Sequence, residues 1–341
     1  CHFVDDMVMP GTLMYECCAH SLRIFLLRMG WVVEQHGVSY EPVCGVSSKL
    51  RCRGPVTPKT KVVTYEVQIK ELGYRPEPPE PYVIADALMY ADGHKIVQFT
   101  DMSMQMTGVT REQIESMWSG AKKRVVRPVG GEPVGCHVRL AVFEHERILV
   151  FAVGKPSDAF GEPYRVFDDD RRIARLPGPP YMFLDRITEI HAEAWRLESD
   201  GWIEAQYDVP KDAWYFGANR QTSMAFAVIL EIALQPCGWL AAYLGSALRS
   251  DEDLSFRNLG GTAVLHEGLF SDSGTLTTRI KMNRVSQAGG MLIESFEFQI
   301  WRVRQLVYEG ETSFGFFSKA ALAQLRVDMT SAPSRLVEAS M

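Results

Sequence analysis

Thr12-Leu-Met-Tyr-Glu16-Cys-Cys-Ala-His20-Ser-Leu-Arg-Ile-Phe-Leu-Leu-Arg-Met-Gly30 returns in outline 215 residues later as Ala227-Val-Ile-Leu-Glu231-Ile-Ala-Leu-Gln235-Pro-Cys-Gly-Trp-Leu-Ala-Ala-Tyr-Leu-Gly245. Each stretch is long enough for about five helical turns and closes on Gly. Each carries one carboxylate in its first half and a polar group four residues on, on the same helix face. Leu, Met and Ala dominate, so both stretches are expected to be helices, nearly apolar all round and wrapped by other structure. Pro236 is expected to disturb the second helix locally.

Alternating runs follow each helix. In the first copy they are Lys61 to Lys70, Tyr82 to Ala91 and Lys95 to Thr100, with Asp92-Gly93 between the last two as a hairpin turn. In the second copy they are Gly274 to Met282, Met291 to Val303 and Gln305 to Glu309. A long apolar helix followed by long antiparallel strands predicts a sheet curled around that helix, an α+β arrangement present twice.

The copies differ upstream. Copy two is preceded by Leu176-Pro-Gly-Pro-Pro180, by Met182 to Ile187, by Gly201 to Tyr207 and by Trp214-Tyr-Phe-Gly217. Copy one begins almost at its helix, so roughly forty residues, its opening strands included, are expected to precede Cys1 in a longer protein, since a bare sheet edge is avoided. The expected organisation is a first unit over 1–106, a linker with helices over 107–174, a second unit over 175–322 and a tail over 323–341. Within the linker, Thr110 to Trp118 predicts a helix. Val138 to Phe143 and Arg147 to Ala152 predict a further strand or helix pair, and Asp168 to Arg172 a solvated charge run.

Composition narrows the function. The 341 residues are 46% hydrophobic and 23% charged, with net charge −6, which suits large cores and argues against nucleic acid as the partner. No uninterrupted apolar run is long enough for a membrane span. Seven cysteines without C-x-x-C spacing signal neither a disulfide framework nor zinc, and a reducing, cytoplasmic setting is expected. Cys17, Cys18 and Cys237 are expected to pack in the core, and His20, His94 and His266 show no metal spacing. The basic cluster Lys122 to Arg127 is expected to be a solvated face, with docking of an acidic carrier protein as the sharper alternative.

The chemistry concentrates in His2-Phe-Val-Asp-Asp6-Met-Val-Met9-Pro10-Gly11. Pro-Gly before an apolar helix makes a tight turn and leaves free N–H groups at the positive helix end, where a developing oxyanion can be held. A nearby imidazole and a carboxylate such as Glu16 add the means to move protons next to a carbonyl.

His2-Phe3-x-x-Asp6-x-x-Met9-Pro10-Gly11, with an acid fourteen residues after the His, resembles the hot-dog-fold β-hydroxyacyl-ACP dehydratases, the β-hydroxydecanoyl type above all. Leu176-Pro-x-Pro, Met182-x-Leu-Asp185-Arg-Ile and Asp212-x-Trp-Tyr-Phe-Gly217 resemble the same family's N-terminal half. The tandem is similar to the dehydratase region of polyunsaturated fatty acid synthases.

The resemblance implies a double hot-dog with a site shared between its halves, the His from one and the acid from the other. Asn219 then falls where His2 stands, and Glu231 keeps the acid position. Asn cannot act as a base. The competent site is therefore expected to join His2 with Glu231, with Gly11 as oxyanion donor and Gln235 orienting the acid. The mirror site of Asn219, Glu16 and His20 is expected to be dead. Glu231 stands where the nearest family members carry Asp, and Met7 where they carry Pro.

The implied reaction converts a 3-hydroxyacyl thioester on acyl carrier protein to the trans-2-enoyl thioester, with room for trans-2/cis-3 isomerisation. The implied partners are the carrier protein and other domains of the same synthase, with a homodimer compatible. No metal or organic cofactor is implied. The acyl chain is expected between the two helices, against Leu13, Phe25 and Ile232. The alternatives are a non-catalytic scaffold of a megasynthase and a hot-dog acyl-thioesterase.

Overall fold

The computed structural model describes residues 3–4, 6–31, 37–118, 138–219 and 221–322. In chain order the first half holds α1 (Gly11–Arg28), β1 (Ser39–Glu41), β2 (Ser47–Cys52), β3 (Val63–Tyr74), β4 (Pro81–Ala91), β5 (His94–Thr107) and α2 (Arg111–Trp118). Next come α3 (His145–Val153), α4 (Pro156–Phe160) and a 3-10 turn at Glu162–Phe167. The second half has β6 (Arg186–His191), β7 (Trp202–Asp208), α5 (Trp214–Asn219), α6 (Phe226–Tyr243), β8 (Ser255–Leu265), β9 (Thr275–Ala288), β10 (Met291–Arg302) and β11 (Gln305–Phe317).

The expected α+β double hot-dog is what forms. α1 packs on β3, β4 and β5, and α6 on β7, β9 and β10. β4 alternates strictly between buried and half-buried positions, as a strand with one face on a core must. The two curled sheets are continuous: the strand order is β3-β4-β5-β2-β8-β11-β10-β9-β7-β6, with β1 on β5. The seam is the antiparallel pair of β2 and β8.

No strand signal marks β8 in the sequence, because Gly260-Gly261 reads as a turn. Tight packing explains the glycines: a Cβ on Gly260, at φ +118°, would lie 2.1 Å from the Leu50 carbonyl oxygen. The expected pair at 138–152 resolves into α3, preceded by an extended segment whose Phe143 bridges Ile187 on the β6 edge. The tail 323–341 and the Lys122 to Arg127 cluster lie outside the described residues.

The disturbance expected at Pro236 is confined to one lost hydrogen bond, and α6 continues from Phe226 to Tyr243. Proline removes the N–H that would bond the Ile232 carbonyl. The Thr278 hydroxyl donates to that oxygen at 3.4 Å instead, a long contact that keeps a buried acceptor from being orphaned.

One expectation needs correction: the two helices are not both wrapped. α6 is long and apolar enough to cross a membrane by length and composition, yet it is a buried core helix here. Phe143 and Phe160 cover its Trp239, with the Phe143 ring edge-on at 5.0 Å, and the Tyr164 hydroxyl donates to the Ala242 carbonyl. On α1 the corresponding face leaves Ile24, Phe25, Leu27 and Met29 exposed.

Candidate active site

The starts of α1 and α6 are built alike. Pro10 precedes α1 with φ −52° and ψ 135°, and Ala225 precedes α6 with φ −58° and ψ 140°. Met9 N–H donates to the Val56 carbonyl (2.9 Å) and Met224 N–H to the Leu269 carbonyl (2.7 Å), the same anchor 215 positions apart. The first halves of the helices lie against each other in opposite directions. Thr12 of α1 therefore meets Glu231 of α6, while Glu16 of α1 meets Ala227 of α6.

Glu231 is 5% exposed. The Thr12 hydroxyl donates to its Oε1 at 2.7 Å, and the Gln235 amide donates to its Oε2, also at 2.7 Å. Gln235 is itself locked. Its carbonyl oxygen accepts Phe183 N–H (2.7 Å) and its amide also donates to the Tyr181 carbonyl (2.9 Å). Both side-chain donors favour the carboxylate, but the loss of hydration outweighs them and pushes Glu231 up to about 7. A carboxyl tuned to neutrality can hold or release a proton, which suits general acid work.

Gly11, Thr12, Glu231 and Gln235 line a cavity of about 930 Å³, together with Phe3, Met9 and Gly238. Asp6, three residues before Met9, is paired with Arg257, which ties the segment before α1 to β8. His2 lies outside the described residues. Its neighbour Phe3 lines the Glu231 cavity. The expected acyl lining needs correction: Leu13, Phe25 and Ile232 are not on this cavity, which runs along the Gly238 and Ala242 face of α6 and on to Ser246 beyond the helix end. Phe25 points outward because its face of α1 is uncovered.

The mirror site also assembles, and its groups are engaged with one another. Glu16 Oε2 accepts Ala227 N–H at 2.8 Å, in the first turn of α6, and Oε1 lies 3.0 Å from His20 Nε2. His20 Nε2 is also 3.3 Å from Asn219 Oδ1, and the Arg23 guanidinium donates to Asn219 at 3.4 Å. The hydrogen bond to Glu16 holds the half-exposed His20 above its ordinary range. The cavity among these residues is about 50 Å³.

Sequence reasoning missed Thr12 and Tyr181, whose hydroxyl lies 3.1 Å from Thr12 Oγ1. One signal was available: at the position of Thr12, copy two has Ala227.

Residues 1–100 match the model of the FabA-like domain family. The chain is 23% identical to a polyunsaturated fatty acid synthase polypeptide of Thraustochytrium sp., over 93% of this chain and 28% of that protein. It thus spans little more than a quarter of the length of that curated relative. Solved structures with a similar course include the tesB protein of Mycobacterium avium subs paratuberculosis, with a TM-score of 0.44, 12% identity, and 92% and 91% of the two chains covered. The dehydratase domain from the CurJ module of curacin polyketide synthase has a TM-score of 0.43 and 10% identity, covering 94% and 87%. The fold is a double hot-dog, and its first 100 residues are similar to the FabA-like domain.

Proposed function

We propose that this protein removes water from 3-hydroxyacyl thioesters carried on acyl carrier protein and yields trans-2-enoyl thioesters. The observation that carries the reading is Glu231, a buried carboxyl pushed up to about 7, facing a large cavity at the start of the helix that follows Met9-Pro10-Gly11. The mirror site supports a partner for it. Asn219 stands beside Glu16 and His20, so the matching position in the other copy, His2, belongs beside Glu231 and Gln235.

In this mechanism the His2 imidazole takes the α-proton. The enolate oxygen is met by the N–H of Gly11, which as the first helical residue has no partner within its own helix. The electron pair then expels the β-hydroxyl as Glu231 protonates it, and water leaves. Gln235, fixed by Phe183 and Tyr181, keeps the acid aimed.

The acyl chain lies along the Gly238 and Ala242 face of α6, and exposed Arg53 and Lys59 on the cavity rim meet the anionic arm of the carrier. Carrier protein and neighbouring synthase domains are the partners proposed. The free thiols of Cys17, Cys18, Cys44, Cys52 and Cys237 suit a reducing compartment, and a cytoplasmic setting is part of the proposal.

The test is incubation with a 3-hydroxydecanoyl-pantetheine thioester while the conjugated enoyl product is followed by absorbance. Wild type forms it, and His2→Ala and Glu231→Gln do not. Equal turnover in all three refutes the assignment, and free acid as the main product points to a thioesterase.

A further inference from the structure

Of the two side chains bonded to Glu231, only one can adapt to a change of its charge. Gln235 is fixed by three contacts, and an amide nitrogen donates but does not accept. A hydroxyl does both. The Thr12 hydroxyl sits between Glu231 Oε1 (2.7 Å) and the Tyr181 hydroxyl (3.1 Å). It has one proton to give, and that proton goes to the carboxylate, so Thr12 Oγ1 accepts from Tyr181. Tyr181 thereby aims the Thr12 proton. In the mirror site this pair is missing: Ala227 has no hydroxyl, and Glu16 is met by a backbone N–H and by His20.

We infer that Thr12, oriented by Tyr181, is a positioning residue that stabilises the Glu231 carboxylate as it forms and turns to accept while Glu231 is neutral. In the ionised state protons point from Tyr181 to Thr12 to Oε1. In the neutral state Oε1–H can point to Thr12, and the Thr12 proton turns to the Tyr181 oxygen. No covalent bond to carbon changes. When Glu231 gives its proton to the departing hydroxyl, the Thr12 hydroxyl turns back to donate to the oxygen that gains charge, so the contact strengthens towards the transition state. The inference deepens the dehydratase reading and rests on it for the catalytic consequence only. Among the described residues, the groups facing Glu231 are Thr12 from α1, Tyr181 from the segment before β6 and Gln235 from its own helix, and the dehydratase reading adds the His2 imidazole.

The test compares Thr12→Val, Thr12→Ser and Tyr181→Phe with wild type in two measurements. The first titrates the Glu231 carboxyl by infrared difference spectroscopy without substrate, its band identified by its loss in Glu231→Gln. The second separates kcat from KM on the 3-hydroxydecanoyl-pantetheine thioester. Thr12→Val keeps the shape and removes the donor, so the Glu231 midpoint rises by about one pH unit and kcat falls about tenfold with KM unchanged. Thr12→Ser restores both, and Tyr181→Phe shifts the midpoint the same way by less. An unchanged midpoint in Thr12→Val, or a Thr12→Ser variant displaced as far as the valine, overturns the inference. A wild type that titrates as described but forms no enoyl product sinks the dehydratase reading and leaves the Thr12 contact standing.

Discussion

Glu231→Gln trades activity for stability, and the size of the trade depends on pH. The carboxyl has an ordinary value of 4.5 and rises to about 7 in the fold because burial disfavours its charge. The folded protein therefore holds this proton more tightly than the unfolded chain between those two values. Its stabilising effect is complete below the unfolded value, is lost as pH rises through the folded one, and leaves a constant penalty above it. At 1.36 kcal/mol per unit, the penalty grows from about 1 kcal/mol at pH 5 to about 3 kcal/mol at pH 8.

A glutamine at 231 carries no charge and satisfies the same contacts. Its carbonyl accepts from Gln235, its amide donates to Thr12, and the Thr12 proton turns to Tyr181. The variant is thus expected to gain about 2 kcal/mol more over wild type at pH 8 than at pH 5, while turnover falls by about 10²-fold or more with the acid gone. Glu294, buried and also pushed up to about 7, is present in both proteins and cancels from the difference. Urea denaturation at the two pH values, with the slope checked for constancy, reads the effect. A stability difference that does not change between pH 5 and pH 8 would refute a carboxyl perturbed by burial.

Gly11→Pro deletes the proposed oxyanion donor at the one helical position that tolerates proline. Pro10 is already extended, as a residue before proline must be, and among the described residues outside its own helix and chain neighbours no atom lies within 4 Å of where a Cβ would sit. Turnover is expected to fall about 10²–10³-fold with circular dichroism and melting unchanged, and retained turnover removes Gly11 from the mechanism.

His20→Ala and Asn219→Ala are expected to leave dehydration intact. His20→Ala weakens the protein by less than about 1 kcal/mol because His20 is half exposed and Glu16 keeps its Ala227 N–H contact, and a loss of activity would show the mirror site to be in use. The His20 contribution is present at low pH and fades as pH rises through its raised folded value, so its variant should match wild type in alkaline urea melts. Trp239→Ala, at a fully buried ring under Phe143 and Phe160, should cost about 3–5 kcal/mol in the same assay, and a loss below about 1 kcal/mol would mean that the covering layer is loose.

Much of this architecture was legible in the chain. Leu, Met and Ala at helical density fixed α1 and α6 to within a residue or two, and Asp92-Gly93 fixed the hairpin of β4 and β5, where Asp92 and Gly93 both adopt positive φ. The offset between Glu16 and Glu231, with polar groups four residues on, marked the two acids and the residues that hold them. Other features were hidden because their cause lies elsewhere in the chain. β8 carries glycines that look like a turn and are needed only because β2 and β11 crowd it. α6 has one charged residue where α1 has three, but neither helix shows in its own sequence that residues 143–167 settle over α6.

The sequence by itself determined that there are two helix-and-sheet units, that one helix start carries the His2 and Gly11 pattern, and that each helix carries a carboxylate in its first half, Glu16 in one copy and Glu231 in the other. These are local properties, written as periodicity, spacing and side-chain chemistry. Only the tertiary structure decided that Thr12 bonds Glu231 while Glu16 is spent on the Ala227 N–H, that the large cavity follows α6, and that the mirror site is nearly filled. Those outcomes depend on how two helices cross and on which polar group is nearest once water is excluded. Residues 219 positions apart can contribute to one carboxyl's behaviour only after the chain has brought them within 2.7 Å.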